Sequence, residues 1–224
     1  MGHSRKIDSL VAHQSRVEPL FGKTKIMYSL KKVITNVLIA SAFTLVASAL
    51  AADFNQTQIL ANQGYASAQT NLGVMYRFGD DVEQDDTQAF EWIQKAANQG
   101  YAEAQAKLGY MYSHGKGVRQ DDAKAFEWYQ KGANQGDAVA QYNIGVMYDD
   151  GDDVDQDYTK AFEWFQRSAN QGYAVAQYSL GSMYERGEGV RQNKKTAKEW
   201  YGKACDNGYQ GGCDDYKILN EQGY

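Results

Sequence analysis

Apolar residues recur along the chain in a fixed pattern with a period of 36 residues. In the first copy, Leu72, Met75 and Tyr76 are spaced as on one face of an α-helix. Gly73 lies on the same stretch, where the lack of a side chain lets a neighbouring helix approach closely. The pattern therefore predicts an α-helix that ends near Gly79.

A second helix is predicted in the other half of each copy. It carries apolar residues at Ala89, Trp92 and Ala96 in the first copy. It begins after an Asp or Asn, because these side chains accept hydrogen bonds from the free N–H groups of a helix start. It ends at an Asn-Gln-Gly or Asn-Gly turn, where glycine can take the left-handed conformation. The residues before the four helix starts are Asp85, Asp121, Asp157 and Asn193.

Four segments align without gaps, each as helix, loop, helix and turn. One such hairpin cannot bury its apolar face alone, so the hairpins are predicted to stack into a solenoid with a concave and a convex side. Residues 52–65 resemble a shortened second helix and are predicted to cap one end, while residues 210–224 form a partial fifth repeat that caps the other. The four repeats span residues 66–101, 102–137, 138–173 and 174–209.

The repeated residues resemble a known family. The pattern A-x-A-Q-x-x-L-G-x-M-Y-x-x-G-x-G-V, followed by K-A-x-E-W-Y-x-K-A-A-x-Q-G, is similar to the Sel-one-like repeats, relatives of the tetratricopeptide repeats. The resemblance implies an all-α fold, a right-handed α/α superhelix of 36-residue helix-loop-helix repeats. It also implies scaffolding or protein–protein interaction, often in exported bacterial proteins. Asp81 and Asp153 replace the second loop glycine, and aspartate tolerates the left-handed region better than most residues.

The resemblance also suggests where a partner would bind. By analogy with tetratricopeptide repeats, the concave side is lined by first-helix positions two residues before and two, five and six residues after the leucine or isoleucine that precedes the helical glycine. These positions vary between copies, and tyrosines among them favour an extended peptide; alternatively, some of them pack between hairpins. The predicted groove residues are Thr70, Val74, Arg77, Phe78, Tyr110, His114, Tyr142, Val146, Asp149, Asp150, Tyr178, Ser182 and Arg186, with Ala106, Ser113 and Glu185 at the remaining positions.

The N-terminal residues differ from the repeats. From Met27, two lysines precede an apolar run and a small-residue site that ends at Ala51, which predicts a signal peptide over 27–51 with cleavage after Ala51. A membrane-spanning helix is the alternative, but polar residues interrupt the run. Residues 1–26 are interpreted as an upstream extension, with translation starting at Met27 or at Met1. The protein is thus predicted to be periplasmic or secreted, without stable membrane insertion after cleavage.

Charge excludes one class of partner. The chain has 23 Lys and Arg against 28 Asp and Glu, and residues 1–51 hold seven of the basic and two of the acidic side chains. The remainder has a net charge of −10, so nucleic acid is an unsuitable partner. Only His114 of the three histidines remains, so a zinc site lacks its ligands and no cofactor is expected.

The two cysteines align with fixed positions of the repeat. Cys205 replaces an alanine near the end of a second helix, and Cys213 replaces a glutamine early in the next helix, so both lie across one turn. Their C-x7-C spacing resembles bridges in the cysteine-rich bacterial branch of the family. The resemblance and the expected export together imply a disulfide, with two free thiols as the alternative.

Catalytic motifs are weak. Ser113-His-Gly-Lys116 has the form S-x-x-K, but no S-D-N or K-T-G motif accompanies it, and no catalytic residue is assigned. The acidic stretch YDDGDDVDQDY at 148–158 fails the calcium-loop template, because its best register, from Asp153, places Tyr158 sixth and Trp164 twelfth. No metal site is predicted.

Two functions remain possible. The favoured hypothesis is an exported, non-catalytic scaffold that binds a protein or peptide through its concave groove. Since Asp149 and Asp150 lie on this groove at a helix C-terminus, the partner is predicted to carry a basic residue near the third repeat. The alternative is a module that binds cell-wall fragments or another small molecule, with weak β-lactamase-like hydrolase activity as in cysteine-rich relatives.

Overall fold

The computed structural model describes residues 54–151 and 154–224, all within the compact unit Phe54–Tyr224. These residues form ten helices and no strand. Helix α1 covers residues 54–62. The others are α2 (Ala66–Phe78), α3 (Asp86–Asn98), α4 (Ala102–His114), α5 (Asp122–Asn134), α6 (Ala138–Asp150), α7 (Tyr158–Asn170), α8 (Ala174–Arg186), α9 (Lys194–Asp206) and α10 (Gln210–Glu221).

The helix boundaries follow the predicted caps. The side chain of Asp85 accepts hydrogen bonds from the backbone N–H groups of Thr87 and Gln88 at the start of α3. Asp121, Asp157 and Asn193 cap the other second helices in the same way. The first helices end at a glycine in the left-handed conformation, as at Gly79, where φ is 74°. Local sequence signals therefore set where each helix begins and ends.

Within each hairpin, a glycine lets the two helices approach closely. A Cβ added at Gly73 would lie 2.6 Å from the side chain of Ile93, and one added at Gly145 would lie 2.6 Å from the ring of Phe165. Real Cβ atoms do not approach this closely, so the prediction for Gly73 is confirmed. Four fully buried leucines or isoleucines precede these glycines and form the interior of the hairpins: Leu72, Leu108, Ile144 and Leu180.

Each helix packs against the next one along the chain, and neighbouring first helices also touch, as α4 and α6 do. The hairpins thus form the predicted all-α solenoid. Among residues 54–151 and 154–224, no helix is long and apolar enough to span a bilayer. The predicted signal peptide at 27–51, the cleavage site after Ala51 and the extension at 1–26 lie outside the described residues.

A series of buried glutamines, the glutamine ladder, joins consecutive repeats. It consists of Gln69, Gln105, Gln141 and Gln177, each 4–6% exposed. Each side-chain Nε2 donates to the carbonyl oxygen eight residues earlier, at distances of 3.1–3.3 Å. Each Oε1 accepts from the side-chain amide thirty residues later, at the end of the next second helix, at 2.7–2.9 Å. The ladder therefore satisfies backbone carbonyls that lie between hairpins.

The disulfide takes the place of the last rung of this ladder. Cys213 is the fifth residue in the glutamine series, and Cys205 lies eight residues before it, where the other rungs have the accepting carbonyl. The two cysteines are bonded, with their Cα atoms 4.6 Å apart. The predicted disulfide is confirmed, and it links α9 to the terminal helix α10.

The loops between the two helices of a hairpin differ between repeats. Asp81 has a φ of 56°, so aspartate does occupy the left-handed position in the first repeat. At Gly117, the corresponding residue of the second repeat, an added Cβ would lie 1.9 Å from the carbonyl oxygen of Asp86 in the preceding repeat. Glycine is required there for packing as well as for conformation. Asp153, which takes this place in the third repeat, lies outside the described residues.

Candidate binding groove

The sixteen predicted positions on the first helices are called the groove face. Most of them reach the surface of the described residues. Phe78 is 63% exposed, which is more than any other large apolar side chain of this part of the chain. His114, Asp150 and Arg186 are exposed as well, and Arg186 forms an ion pair with Glu188 at 2.6 Å. The half-buried members are Val74, Arg77, Tyr110, Ser113, Tyr142, Val146, Asp149, Tyr178, Ser182 and Glu185.

Thr70 and Ala106 do not reach the surface. Thr70 is 1% exposed and its hydroxyl donates to the carbonyl oxygen of Ala66 in its own helix, while Ala106 is 4% exposed. The prediction that Thr70 contacts a partner is therefore wrong. Thr70 is covered by its neighbours, whereas the small side chain of Ala106 lies on the wall of a cavity.

The first two repeats share a continuous set of contacts on the groove face. The guanidinium of Arg77 lies 4.3 Å from the ring centroid of Tyr110. The ring of Tyr110 stacks on that of His114, with centroids 4.0 Å apart. These contacts hold an aromatic surface between the repeats, where a cation above a ring face is favourable.

The rings of Tyr142 and Tyr178 pack against other aromatic rings instead of lying free in an open groove. The ring of Tyr142 lies 5.5 Å from that of Phe165 and 5.4 Å from that of Tyr173. Tyr178 contacts the rings of Tyr201 and Tyr209 at 5.3 and 4.9 Å. Burial raises the pKa of the Tyr178 hydroxyl to about 12, and a hydrogen bond to Asp215 adds to this. Both tyrosines thus stabilise the hairpins, as the packing alternative supposed.

A cavity of about 640 Å³ opens between the second and third repeats. Four groove-face residues line it: Ser113, His114, Val146 and Asp150. Asp122 and the hydroxyl-bearing Tyr129 lie on its wall as well, and these were not predicted from the sequence. The groove residues of adjacent repeats are therefore brought together around one opening.

Asp149 lacks the hydroxyl neighbour that its counterparts in the second and fourth repeats have. In the fourth repeat, the hydroxyl of Tyr201 donates to Glu185 at 2.8 Å. In the second, the hydroxyls of Ser113 and Tyr129 lie 3.4 Å apart. Phe165 occupies the position of these tyrosines in the third repeat.

The carboxylate of Asp149 consequently has an oxygen, Oδ1, that is buried and makes no hydrogen bond with any described residue. Loss of hydration raises the pKa of this carboxyl, and the negative charge of Asp150 raises it further. Arg186 acts in the opposite direction but does not pair with it. An acidic, incompletely satisfied group therefore marks the third repeat's part of the groove face.

Ser113 and His114 touch each other at the end of α4. The Ser113 hydroxyl lies 2.7 Å from Nδ1 of His114 and 3.0 Å from the carbonyl oxygen of Tyr110. The His114 ring is held by Tyr110, through its ring and its carbonyl, with no carboxylate among its described partners. A serine nucleophile needs a base that a third group orients. Within the described ranges, no His, Cys, Asp and Glu side chains are arranged to hold a metal ion.

A smaller cavity, of about 180 Å³, lies between Arg77 of the first repeat and the start of α6. Arg77, Ala106 and Tyr110 on its wall are predicted groove positions, whereas Val139 and Asn143 were not predicted from the sequence. The place of Asn143 varies between copies, with Lys107 and Ser179 at the equivalent positions. That variation was the one sequence signal that could have found it.

The repeats match a known family over their whole length. The profile of the Sel1 repeat matches residues 66–101, 102–137, 138–173 and 174–209. The chain belongs to the Sel1 repeat family. Sel1 repeat proteins are commonly scaffolds for protein–protein interaction and are typically non-catalytic. A comparison with curated proteins finds none that matches the chain.

Solved structures contain similar Sel1 solenoids. A protective antigen of uropathogenic Escherichia coli with an SLR fold is 39% identical, with a TM-score of 0.71 over 76% of this chain and 36% of that protein. A Sel1 repeat protein of Oxalobacter formigenes is 34% identical, with a TM-score of 0.65 over 68% of this chain and 61% of that one. This chain thus spans about a third and about three fifths of these two Sel1 proteins. An immunity protein of Pseudomonas aeruginosa, 24% identical with a TM-score of 0.51 over 70% of this chain and 58% of its own, shares the fold.

Proposed function

We propose that this Sel1 repeat protein is an exported, non-catalytic scaffold that binds a protein or peptide through its groove face. The observation that supports this most directly is the contrast between two faces of the same helices. On the interior face, the glutamine of the ladder keeps its identity and its hydrogen bond to the carbonyl eight residues earlier in every repeat. The groove face varies between repeats and still forms connected surfaces, such as the Arg77, Tyr110 and His114 contacts.

The third repeat gives the groove an acidic end. Asp149 and Asp150 lie next to each other at the C-terminus of α6, where the helix dipole disfavours negative charge. No ion pair neutralises them among the described residues. A lysine or arginine of the partner would supply the missing donor to Asp149 and offset both charges. The partner is therefore proposed to carry a basic residue at this place.

Export is the second part of the proposal. The disulfide between Cys205 and Cys213 is typical of an oxidising compartment such as the periplasm or the cell exterior. Together with the predicted signal peptide at 27–51, it supports a mature chain that begins after Ala51. In this chain, residues 52–65 and 210–224 would cap the four repeats.

A crosslinked pull-down from the native cell envelope tests the proposal. Asp149→Arg and Asp150→Arg introduce residues that the chain already carries at the equivalent positions, Arg77 and Arg186, so the helix tolerates them. The double variant is expected to lose the partner that the wild-type protein captures. The matched control reverses the same number of charges away from the groove face, at the exposed residues Glu127 and Glu163.

Equal capture by both variants would contradict the proposed site. Capture of cell-wall fragments by the wild-type protein, with no protein partner, would instead favour the alternative function as a small-molecule binding module. Because both variants carry the same net charge, a general electrostatic effect cannot produce a difference between them.

A further inference from the structure

The cavity of about 180 Å³ beside Arg77 corresponds to a place that is filled in the next two repeats. In the third repeat, the ring of Tyr142 occupies it and packs on Tyr173 at 5.4 Å. In the fourth, Tyr178 occupies it and packs on Tyr209 at 4.9 Å. Each of these places therefore holds a tyrosine that contacts a second tyrosine from the following turn.

The hydroxyls of these tyrosines have a fixed partner position. Burial raises the pKa of the Tyr142 and Tyr178 hydroxyls. As a hydrogen-bonding neighbour, Ser179 opposes this pKa shift at Tyr142, and Asp215 adds to it at Tyr178. Ser179 and Asp215 are equivalent residues, each on the first helix of the following unit. A tyrosine at this place is thus held at its ring and at its hydroxyl.

The second repeat has a cavity at the equivalent position but no tyrosine that fills it. Ala106 replaces Tyr142, and Asp137 replaces Tyr173. Asn143 is the residue equivalent to Ser179, and it lines the vacant space. Its Nδ2 donates to the carbonyl oxygen of Val139, which leaves its Oδ1 able to accept a hydrogen bond. The cavity has the position in the repeat that a tyrosine side chain occupies elsewhere in this protein, and it has a hydrogen-bonding group at the equivalent place.

The charges around the cavity favour a neutral occupant. Two cations, Arg77 and Lys107, and two acids, Glu103 and Asp137, line it, and Lys107 pairs with Glu103 at 3.4 Å. The carboxylate of Asp137 is engaged as the cap of α6, accepting from the backbone N–H of Ala140 at 2.7 Å. The balance of charges disfavours burial of an added charged group.

We propose that this cavity binds a tyrosine side chain of the partner peptide. The ring would enter beside Tyr110 and the guanidinium of Arg77, and the hydroxyl would donate to Asn143. This inference rests on the proposed function, since it names one residue class of the partner that the groove face binds. It makes the bound peptide supply the aromatic side chain that the second repeat lacks.

Binding of single-residue probes tests the inference directly. N-acetyl-tyrosinamide and N-acetyl-phenylalaninamide are titrated into the folded chain while amide resonances are followed by NMR. We expect shifts centred on Ala106, Tyr110 and the side-chain amide of Asn143. Tyrosinamide should bind roughly two- to tenfold more tightly than phenylalaninamide, the effect of one neutral hydrogen bond.

Two variants decide the interpretation. Ala106→Tyr places the tyrosine of the later repeats in the cavity, so it should abolish the shifts without lowering the melting temperature. Asn143→Ala should leave both probes bound with equal affinity. Shifts that persist in Ala106→Tyr, that lie elsewhere, or that are absent up to the solubility limit of tyrosinamide overturn the inference. If Ala106→Tyr does not fold, Asn143→Ala decides the question by itself. The inference is then overturned if this variant still binds tyrosinamide more tightly than phenylalaninamide.

The envelope pull-down separates this inference from the proposed function. If Ala106→Tyr captures the same partner as the wild type while the double arginine variant of Asp149 and Asp150 does not, the groove binds as proposed and the tyrosine inference fails. If neither variant changes capture, the groove itself is not the binding surface.

Discussion

The first helices of the Sel1 repeats have an interior face and a groove face that differ in how strictly they repeat. On the interior face, a glutamine makes the same two hydrogen bonds in all four repeats. On the groove face, the position five residues after the leucine is Arg77, Ser113, Asp149 or Glu185. No two of these four side chains have the same surroundings.

The difference shows which constraint acts on each face. Between hairpins, buried carbonyls need a donor at one place, so one residue type recurs. On the groove face, water can satisfy polar groups, so each repeat can change independently. Asp149 is the exception that tests this account, because its position is partly buried but its neighbour Phe165 supplies no donor.

The largest expected effect is on the interior face. Gln141→Ala removes the donor to the buried carbonyl of Ala133 and the acceptor for Gln171, and it leaves a small cavity. We expect a loss of about 2–4 kcal/mol in the free energy of unfolding, measured by urea denaturation. Glu163→Ala is the control, since this exposed residue of the neighbouring helix α7 makes none of the ladder's hydrogen bonds and its loss should cost under about 1 kcal/mol. Equal costs would mean that the ladder does not hold the hairpins together.

The disulfide lies at the position where the other repeats have a glutamine of the ladder. Its loss should have a smaller and more local effect on stability than Gln141→Ala. Replacing Cys205 and Cys213 by serine removes a bridge over a short loop, worth about 2–3 kcal/mol in the chain-entropy account. Because each repeat contacts only its neighbours, the loss should appear as faster hydrogen exchange in α10 and the end of α9. Uniformly faster exchange in all helices would contradict this local role.

The smallest expected effect is on the groove face and has opposite signs in two repeats. Phe165→Tyr should stabilise the protein by about 1 kcal/mol, because the new hydroxyl can donate to Oδ1 of Asp149. Tyr201→Phe should destabilise it by about the same amount, because Glu185 loses its donor. Thermal unfolding of the two variants checks both signs, and a loss of stability in Phe165→Tyr would show that the ring has no room for a hydroxyl.

Because the pKa of Asp149 is raised, the effect of Phe165→Tyr on stability should depend on pH. A carboxyl with a raised pKa binds its proton more tightly in the folded state, so the contribution of Asp149 to stability is fully present below the ordinary carboxyl pKa and is lost as pH rises through the raised pKa. The hydroxyl that Phe165→Tyr introduces would stabilise the ionised form and lower that pKa. The gain from this substitution should therefore be larger at neutral pH than below the ordinary carboxyl pKa.

Much of the fold could be predicted from the sequence, since it depends on local signals that recur. The caps at Asp85 and Gly79 act within one turn of a helix, and the glycine of the hairpin interior is fixed by one close contact. For the disulfide, the register only placed the two cysteines across one turn, and the bridge itself was predicted from the resemblance to the cysteine-rich branch of the family and from the expected export. The caps and the close contact need only the repeat register to be recognised.

The groove was predicted less completely, because helical periodicity does not show how far one hairpin covers the next. Thr70 has the spacing of a surface residue, but it is covered, and Tyr142 is held between Phe165 and Tyr173. The small cavity arises from the combination of Ala106 and Asp137, thirty-one residues apart in sequence. Such a space forms only when large side chains are absent from two helix ends or faces that meet in the fold, and the sequence does not show which ones meet.

The disulfide at the C-terminal end makes the two ends of the solenoid differ in their resistance to unfolding under force. Every other junction between repeats is held by hydrogen bonds and packing that can open reversibly, whereas the C-terminal junction cannot open without reduction. A pulling force or a chaperone should therefore unravel an oxidised molecule from its N-terminal end. Within the groove face, the contact between Arg77 and Tyr110 would be lost first, and the fourth repeat, next to the disulfide, would keep its shape longest.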